Sequence, residues 1–315
     1  MLAGAPSDRC PGCGAPIGSG ILCLGCGREL VDRRIGRVLG ERYRLDALVG
    51  QGAYARVYQA LDLKFEQTVA VKFLHQRYAM SREQRERFQR EANVLVTMAH
   101  PGIVRALDFG QDQGALYLVM ELVLGRPLSE LVLVDGHTLP LERVVVILDQ
   151  VLEVLEVTHA AGIVHRDLKP DNILLVDGGE VGERIKVLDF GLARIERGPR
   201  LTGRNVPLGT PSYMSPEQAA GKDAGPPADV YAVGIMLYLL IAGELPFLGD
   251  TTTSLIAQHI SLAPPPITQR GLRRPAPPAF EALMRRALAK VPDDRPTTGE
   301  FRRALKAALQ SNQGS

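Results

Sequence analysis

Apolar and polar positions divide the chain into two textures. From Tyr43 to Val49, Ala55 to Leu61 and Gln67 to Leu74 the apolar residues fall in short runs, β-branched or aromatic, separated by turns. Such runs predict an antiparallel sheet. Ser81 to Met98 predicts a helix with Ser81 as N-cap, Glu83 close behind it, and Phe88, Val94, Leu95 and Met98 among its apolar positions. Two more strands are expected at Ile103 to Phe109 and Ala115 to Leu122, and beyond Gly125, a candidate hinge, the pattern turns mostly helical. Leu141 to Ala160 predicts a long apolar helix, and Val230 to Ala242 is apolar nearly all round, as a buried helix is. Two amphipathic helices follow over Pro278 to Lys290 and Thr298 to Leu309, with a proline-rich loop from Pro264 to Pro278 before them.

Composition adds limits. At 315 residues and 45% apolar the chain can build one large bilobal domain or two ordinary ones without covalent staples. The 37 basic and 35 acidic side chains nearly cancel, so charge does not indicate nucleic acid or an anionic membrane as a partner. Val230 to Ala242 is shorter than the roughly 18 apolar residues a spanning helix needs. Asp8 and Arg9, followed by cysteines and glycines, do not resemble a secretory signal, so a cytoplasmic protein is expected.

Three features point to phosphate chemistry. Gly50, Gln51, Gly52, Ala53 and Tyr54 form a glycine-bearing turn between two expected strands, where backbone N-H groups can approach phosphate oxygens. A plain hairpin turn is the simpler reading of that stretch alone. Ala55 occupies the place of a third glycine and no helix follows, which argues against a dinucleotide fold. Lys72, in Val69-Ala70-Val71-Lys72, puts an ammonium in an apolar strand, where it calls for an anion, and Glu91 on the next helix is the carboxylate to meet it. The alternatives are an edge-strand lysine facing water and one more solvated glutamate.

The decisive segment is His165-Arg166-Asp167-Leu168-Lys169-Pro170-Asp171-Asn172, followed by Asp189-Phe190-Gly191. In order after the glycine turn and the lysine strand, these resemble the catalytic loop and metal-binding motifs of the eukaryotic-like protein kinases. Gly-x-Gly-Ala-Tyr-Ala-x-Val-Tyr and His100-Pro101-Gly102-Ile103-Val104 are similar to the bacterial, Hanks-type members. The likeness covers about residues 41 to 310 and implies an α+β bilobal protein kinase fold. Its N-lobe, 43–122, would hold five antiparallel strands and one main helix, and its C-lobe, 126–310, would be mostly helical. Residues 31–42 would be a linker, leaving no room for a transmembrane helix and external sensor.

By the family pattern, Lys72 holds the α- and β-phosphates of ATP and pairs with Glu91. Asp189 and Asn172 bind magnesium or manganese, Asp167 takes the proton of the attacking hydroxyl, and Lys169 lies near the γ-phosphate. Val49, Gly50, Gln51, Gly52, Ala53, Val57 and Ala70 would line the nucleotide, with Met120 at the back pocket and backbone groups of Glu121 and Val123 offered to adenine. Lys169 in Asp-Leu-Lys-Pro-x-Asn implies serine or threonine acceptors on protein substrates. In Gly209 to Glu217, Ser215 replaces the commoner alanine. Thr210 would contact Asp167 and Lys169, Glu217 would pair with Arg295, and Asp229 would brace the catalytic loop. Arg166 implies an activation loop ordered by phosphorylation, with Thr202 the candidate site and an unmodified threonine the alternative. A non-transferring scaffold and a small-molecule phosphotransferase are the rival functions.

All four cysteines lie near the N-terminus, Cys10-x2-Cys13 and Cys23-x2-Cys26, separated by nine residues and flanked by glycines. Two such knuckles suit four thiolates on one structural zinc ion, in a module of residues 1–30 that is similar to a zinc ribbon. A redox dithiol or disulfides are the alternative. The module would serve partner docking, self-association or nucleic-acid contact.

Overall fold

A computed structural model of the chain describes residues 32, 34–51, 55–74, 82–135, 139–177, 182–190, 211–267 and 277–313. The four cysteines, Gly52, Ala53, Thr202 and Thr210 lie outside the described residues.

The N-terminal part is built on strands β1 (Val38–Leu39), β2 (Tyr43–Gln51), β3 (Ala55–Asp62), β4 (Gln67–Leu74), β5 (Ala106–Asp112) and β6 (Ala115–Glu121). They form one antiparallel sheet in the order β1-β2-β3-β4-β6-β5. Five strands were expected from the pattern and six are present among the described residues. The extra one, β1, lies in the segment expected to be a linker, because its two residues pair with Arg44 and Tyr43 while Gly36 N-H donates to Leu45 O at 2.7 Å. The expected strand from Ile103 begins instead at Ala106. Ile103 makes an isolated parallel bridge to Val187, which ties it to the C-terminal part.

One face of the sheet buries Tyr43, Leu45, Tyr58, Val71, Phe73, Tyr117 and Val119 as a cluster of its own. The entering chain caps it. The Arg34 guanidinium lies 4.9 Å from the Phe73 ring centre, and the Asp32 carboxylate accepts hydrogen bonds from Tyr58 Oη and, at 3.0 Å, from Arg56 Nη1.

Helix α1 (Arg82–Thr97) packs against β5 and buries Phe88, Ala92 and Leu95, three positions of one stripe. The rest is mainly helical: α2 (Leu128–Asp135), α3 (Leu141–Ala160), α4 (Pro216–Ala219), α5 (Pro226–Ala242), α6 (Thr252–Ser261), α7 (Pro278–Ala287) and α8 (Thr298–Gln313). A small sheet of β7 (Arg126–Pro127), β8 (Ile173–Val176) and β9 (Arg184–Val187) sits between them and the N-terminal part. Helix α5 is buried along nearly its whole length, in keeping with its all-round apolarity. It ends at Gly243, whose φ of 77° lets its N-H bond Leu239 O. Gly234 admits α7, since a Cβ there would lie 3.0 Å from Ala287 Cβ and Leu288 Cδ2. The largest core cluster joins both parts, running from Phe88 and Leu118 through α3 and Phe190 to α8. Among the described residues no helix is long and apolar enough to cross a membrane.

Candidate active site

Strand period sets the first half of the site. Ala70 and Lys72, two apart, point to one face of β4, and the register puts Met120 opposite Ala70 and Val57 opposite Lys72. Ala70, Val104 and Met120 form an apolar patch completed by Val57, Leu122, Val123 and Leu188. Val57, Ala70, Met120 and Val123 thus come together. Val49 is exposed and Gln51 also faces solvent, while Gly50 pairs with Val57 across the turn.

Lys72 is 6% exposed, so its ammonium needs a counter-charge. Asp189 supplies one, with Oδ1 2.9 Å from Lys72 Nζ. Burial alone would raise the Asp189 carboxyl, but the charge and hydrogen bond of Lys72, helped by His165 and Lys169, hold it below the usual carboxylate range. Asp189 reaches this place with a φ of 63°, a left-handed conformation that aspartate adopts at modest cost. Glu91 stands half-buried on α1.

The second half is the loop between α3 and the 3-10 turn Pro170–Asn172. Asn172 Nδ2 donates to Asp167 O at 2.7 Å, and Lys169 Nζ lies 3.5 Å from Asp167 Oδ2. His165 Nε2 donates to Leu188 O at 2.7 Å, which leaves Nδ1 to accept the Asp167 N-H at 3.3 Å. The same ring meets Phe190 edge-on at 4.8 Å, so the loop and the Asp189 segment are packed as one unit.

Asp229, 1% exposed in the first turn of α5, braces this loop. Its Oδ2 accepts His165 N-H and its Oδ1 accepts Arg166 N-H, both at 2.8 Å. The Arg166 side chain turns to Ala224 O, with Nε at 3.1 Å. Glu217 and Arg295 form a two-pronged pair, Nη1 to Oε1 at 2.8 Å and Nη2 to Oε2 at 2.7 Å, with the arginine side chain wholly buried.

Three contributors had no sequence signal. His159 Nε2 donates to Asp229 Oδ2 at 2.8 Å from the last turn of α3. Lys186 bonds the Glu121 carboxylate and approaches Ile103 O at 3.4 Å, joining the end of β6 to β9, the strand that leads into Asp189. Gln218 Nε2 donates to Arg166 O at 2.8 Å. Each partner is 50 or more positions away in sequence, and none of the three residues belongs to a motif.

Comparison with known proteins agrees with this geometry. The protein kinase domain model matches residues 43–309. The chain is 40% identical over 287 residues to the serine/threonine-protein kinase pkn3 of Myxococcus xanthus, covering 89% of this chain and 51% of that protein. It is 37% identical over 271 residues to the serine/threonine-protein kinase PknA of Mycobacterium tuberculosis, covering 84% and 61%. Among solved structures, the M. tuberculosis PknI kinase domain superposes with a TM-score of 0.70 at 29% identity, covering 87% of this chain and 98% of that one. The chain belongs to the protein kinase domain family. It spans about half to three-fifths of the length of these two curated relatives.

Proposed function

We propose that this chain is a serine/threonine protein kinase that moves the γ-phosphate of ATP to protein hydroxyls. The observation that carries it is that Lys72 meets Asp189 at 2.9 Å while Asp167, Lys169 and Asn172 gather in the loop whose His165 packs on the Asp189 segment. The donor set fits a magnesium nucleotide: an ionised carboxylate, an amide oxygen and two ammonium groups are hard-cation ligands and phosphate partners. When bound, the metal ion neutralises charge that develops on the transferring phosphoryl group.

The chain's own residues do the rest. Lys72 would hold phosphate oxygens, and Asp189 and Asn172 would hold the cation, Asn172 offering Oδ1 since its Nδ2 donates to Asp167 O. Asp167 accepts the proton of the attacking hydroxyl. Lys169, 3.5 Å from Asp167, sets a positive charge where the phosphoryl group passes. The patch of Val57, Ala70, Met120 and Val123 receives the adenine ring, with backbone groups of Glu121 and Val123 as its polar partners.

The remaining roles belong to the same reading. Glu91 would orient Lys72, Thr210 would contact Asp167, Thr202 would be the autophosphorylated loop residue, and Cys10, Cys13, Cys23 and Cys26 would hold a structural zinc ion in a cytoplasmic docking module. Purified protein incubated with labelled ATP, magnesium and a generic basic protein should label protein serine and threonine. Label confined to a small metabolite, or nucleotide binding without transfer, would refute the proposal.

A further inference from the structure

Ser215, where the family commonly has alanine, opens a device that reaches the catalytic loop. Ser215 is fully buried and caps α4. Its hydroxyl accepts Gln218 N-H at 3.4 Å, while Gln218 Oε1 accepts the Ser215 N-H at 3.0 Å and the Ser215 hydroxyl at 3.1 Å. Two donors on one oxygen settle which way the amide faces, so its Nε2 is the end that meets Arg166 O, at 2.8 Å.

That carbonyl belongs to the peptide immediately before Asp167. Arg166 has a φ of 65°, a left-handed conformation that is costly for a non-glycine residue and persists only under restraint. On its N-terminal side the restraint is Asp229, which accepts the Arg166 N-H at 2.8 Å. On its C-terminal side the peptide is held at two ends: Asp167 N-H to His165 Nδ1 at 3.3 Å, and Arg166 O to Gln218 at 2.8 Å. The Gln218 bond is the shorter, so it contributes more to fixing the plane from which Asp167 projects.

We propose that Gln218 is a positioning residue for Asp167, acting through the Arg166 carbonyl and coupling the helix after the activation segment to the proton acceptor. This rests on the kinase reading above. Two substitutions separate positioning from capping. Q218E keeps a capping-box acceptor but replaces the donor that faces Arg166 O with a second oxygen. Q218A removes both functions.

The test measures kcat, KM for ATP and the unfolding midpoint for wild type and both variants. The expected result is that both variants lose turnover about ten-fold, the effect of 1.36 kcal/mol on a barrier. KM for ATP should stay unchanged, because Gln218 does not touch the nucleotide face, and only Q218A should unfold earlier, by about 2–4 °C. Wild-type turnover in Q218E, or turnover losses that follow the midpoint losses in both variants, would leave only the cap and overturn the proposal. No transfer by wild type would instead bring down the kinase reading, and this proposal with it.

Discussion

The Glu217 and Arg295 pair allows a stability prediction worked from the structure. Glu217→Ala removes both acceptors from a guanidinium with no exposed surface, and loss of one partner from a buried pair typically destabilises by about 3–5 kcal/mol. Arg295 keeps carbonyl acceptors at Ala289 (2.9 Å), Pro227 (2.8 Å) and Lys290 (3.3 Å), which places the expected loss near the lower end, about 3 kcal/mol. For a domain of this size that is a fall of about 6–12 °C in the unfolding midpoint. The double variant Glu217→Ala, Arg295→Met should lose less than the sum of the single losses, by about 2 kcal/mol, because it leaves no orphaned charge. The pH dependence has a definite sign. Burial raises the Glu217 carboxyl, but the Arg295 bonds outweigh it and hold it below its ordinary 4.5. The pair therefore contributes fully above about pH 4.5 and loses its contribution as pH falls through the folded value. Calorimetry on the four proteins at pH 7 is the assay. A midpoint for Glu217→Ala within 2 °C of wild type, or strictly additive losses, would refute the reasoning.

Three further predictions are independent of it. Asp167→Asn and Lys72→Met should each lower phosphoryl transfer by at least about a hundred-fold while the protein stays folded, measured by labelled-ATP assay and circular dichroism; undiminished transfer in either would overturn its assignment. Burial, with the Lys290 charge beside it, pushes the His259 imidazole down to about 4 from 6.5. Since the unfolded chain takes up that proton first, stability should fall between pH 6.5 and 4 by about 3 kcal/mol from this group, and urea titrations of His259→Gln should show a flatter profile than wild type. Elemental analysis of reduced, freshly purified protein should return about one zinc per chain, and finding none would remove the ribbon.

The parts of the fold legible in the sequence were those whose information is local. Strands β2, β3 and β4 announce themselves through short apolar runs, β-branched or aromatic, between turns, and α3 and α5 through apolar stretches of helical length. The catalytic loop is a contiguous motif, which is why Asp167, Lys169 and Asn172 could be named together. The remaining features depend on distant partners. β1 has two residues and exists because the chain before Tyr43 folds back on Arg44. The sheet of β7, β8 and β9 joins Arg126 and Pro127 to residues nearly fifty positions on, through strands too short to show a period. His159, Lys186 and Gln218 are ordinary polar residues in sequence, and only the packing of α3, β9 and α4 around the loop gives them work. Ser215 was visible as a departure from the family, but its capping role depends on the Gln218 geometry.

Lys72, Asp189 and Asn172 should hold a magnesium nucleotide with Asp167 beside the transferring phosphate. A crystal structure with a nonhydrolysable ATP analogue and magnesium is the decisive test. The expected result is metal-to-oxygen distances of about 2.0–2.1 Å from Asp189 and Asn172, with the terminal phosphate facing Asp167. Ions bound elsewhere, with both side chains out of reach of them, would contradict the account.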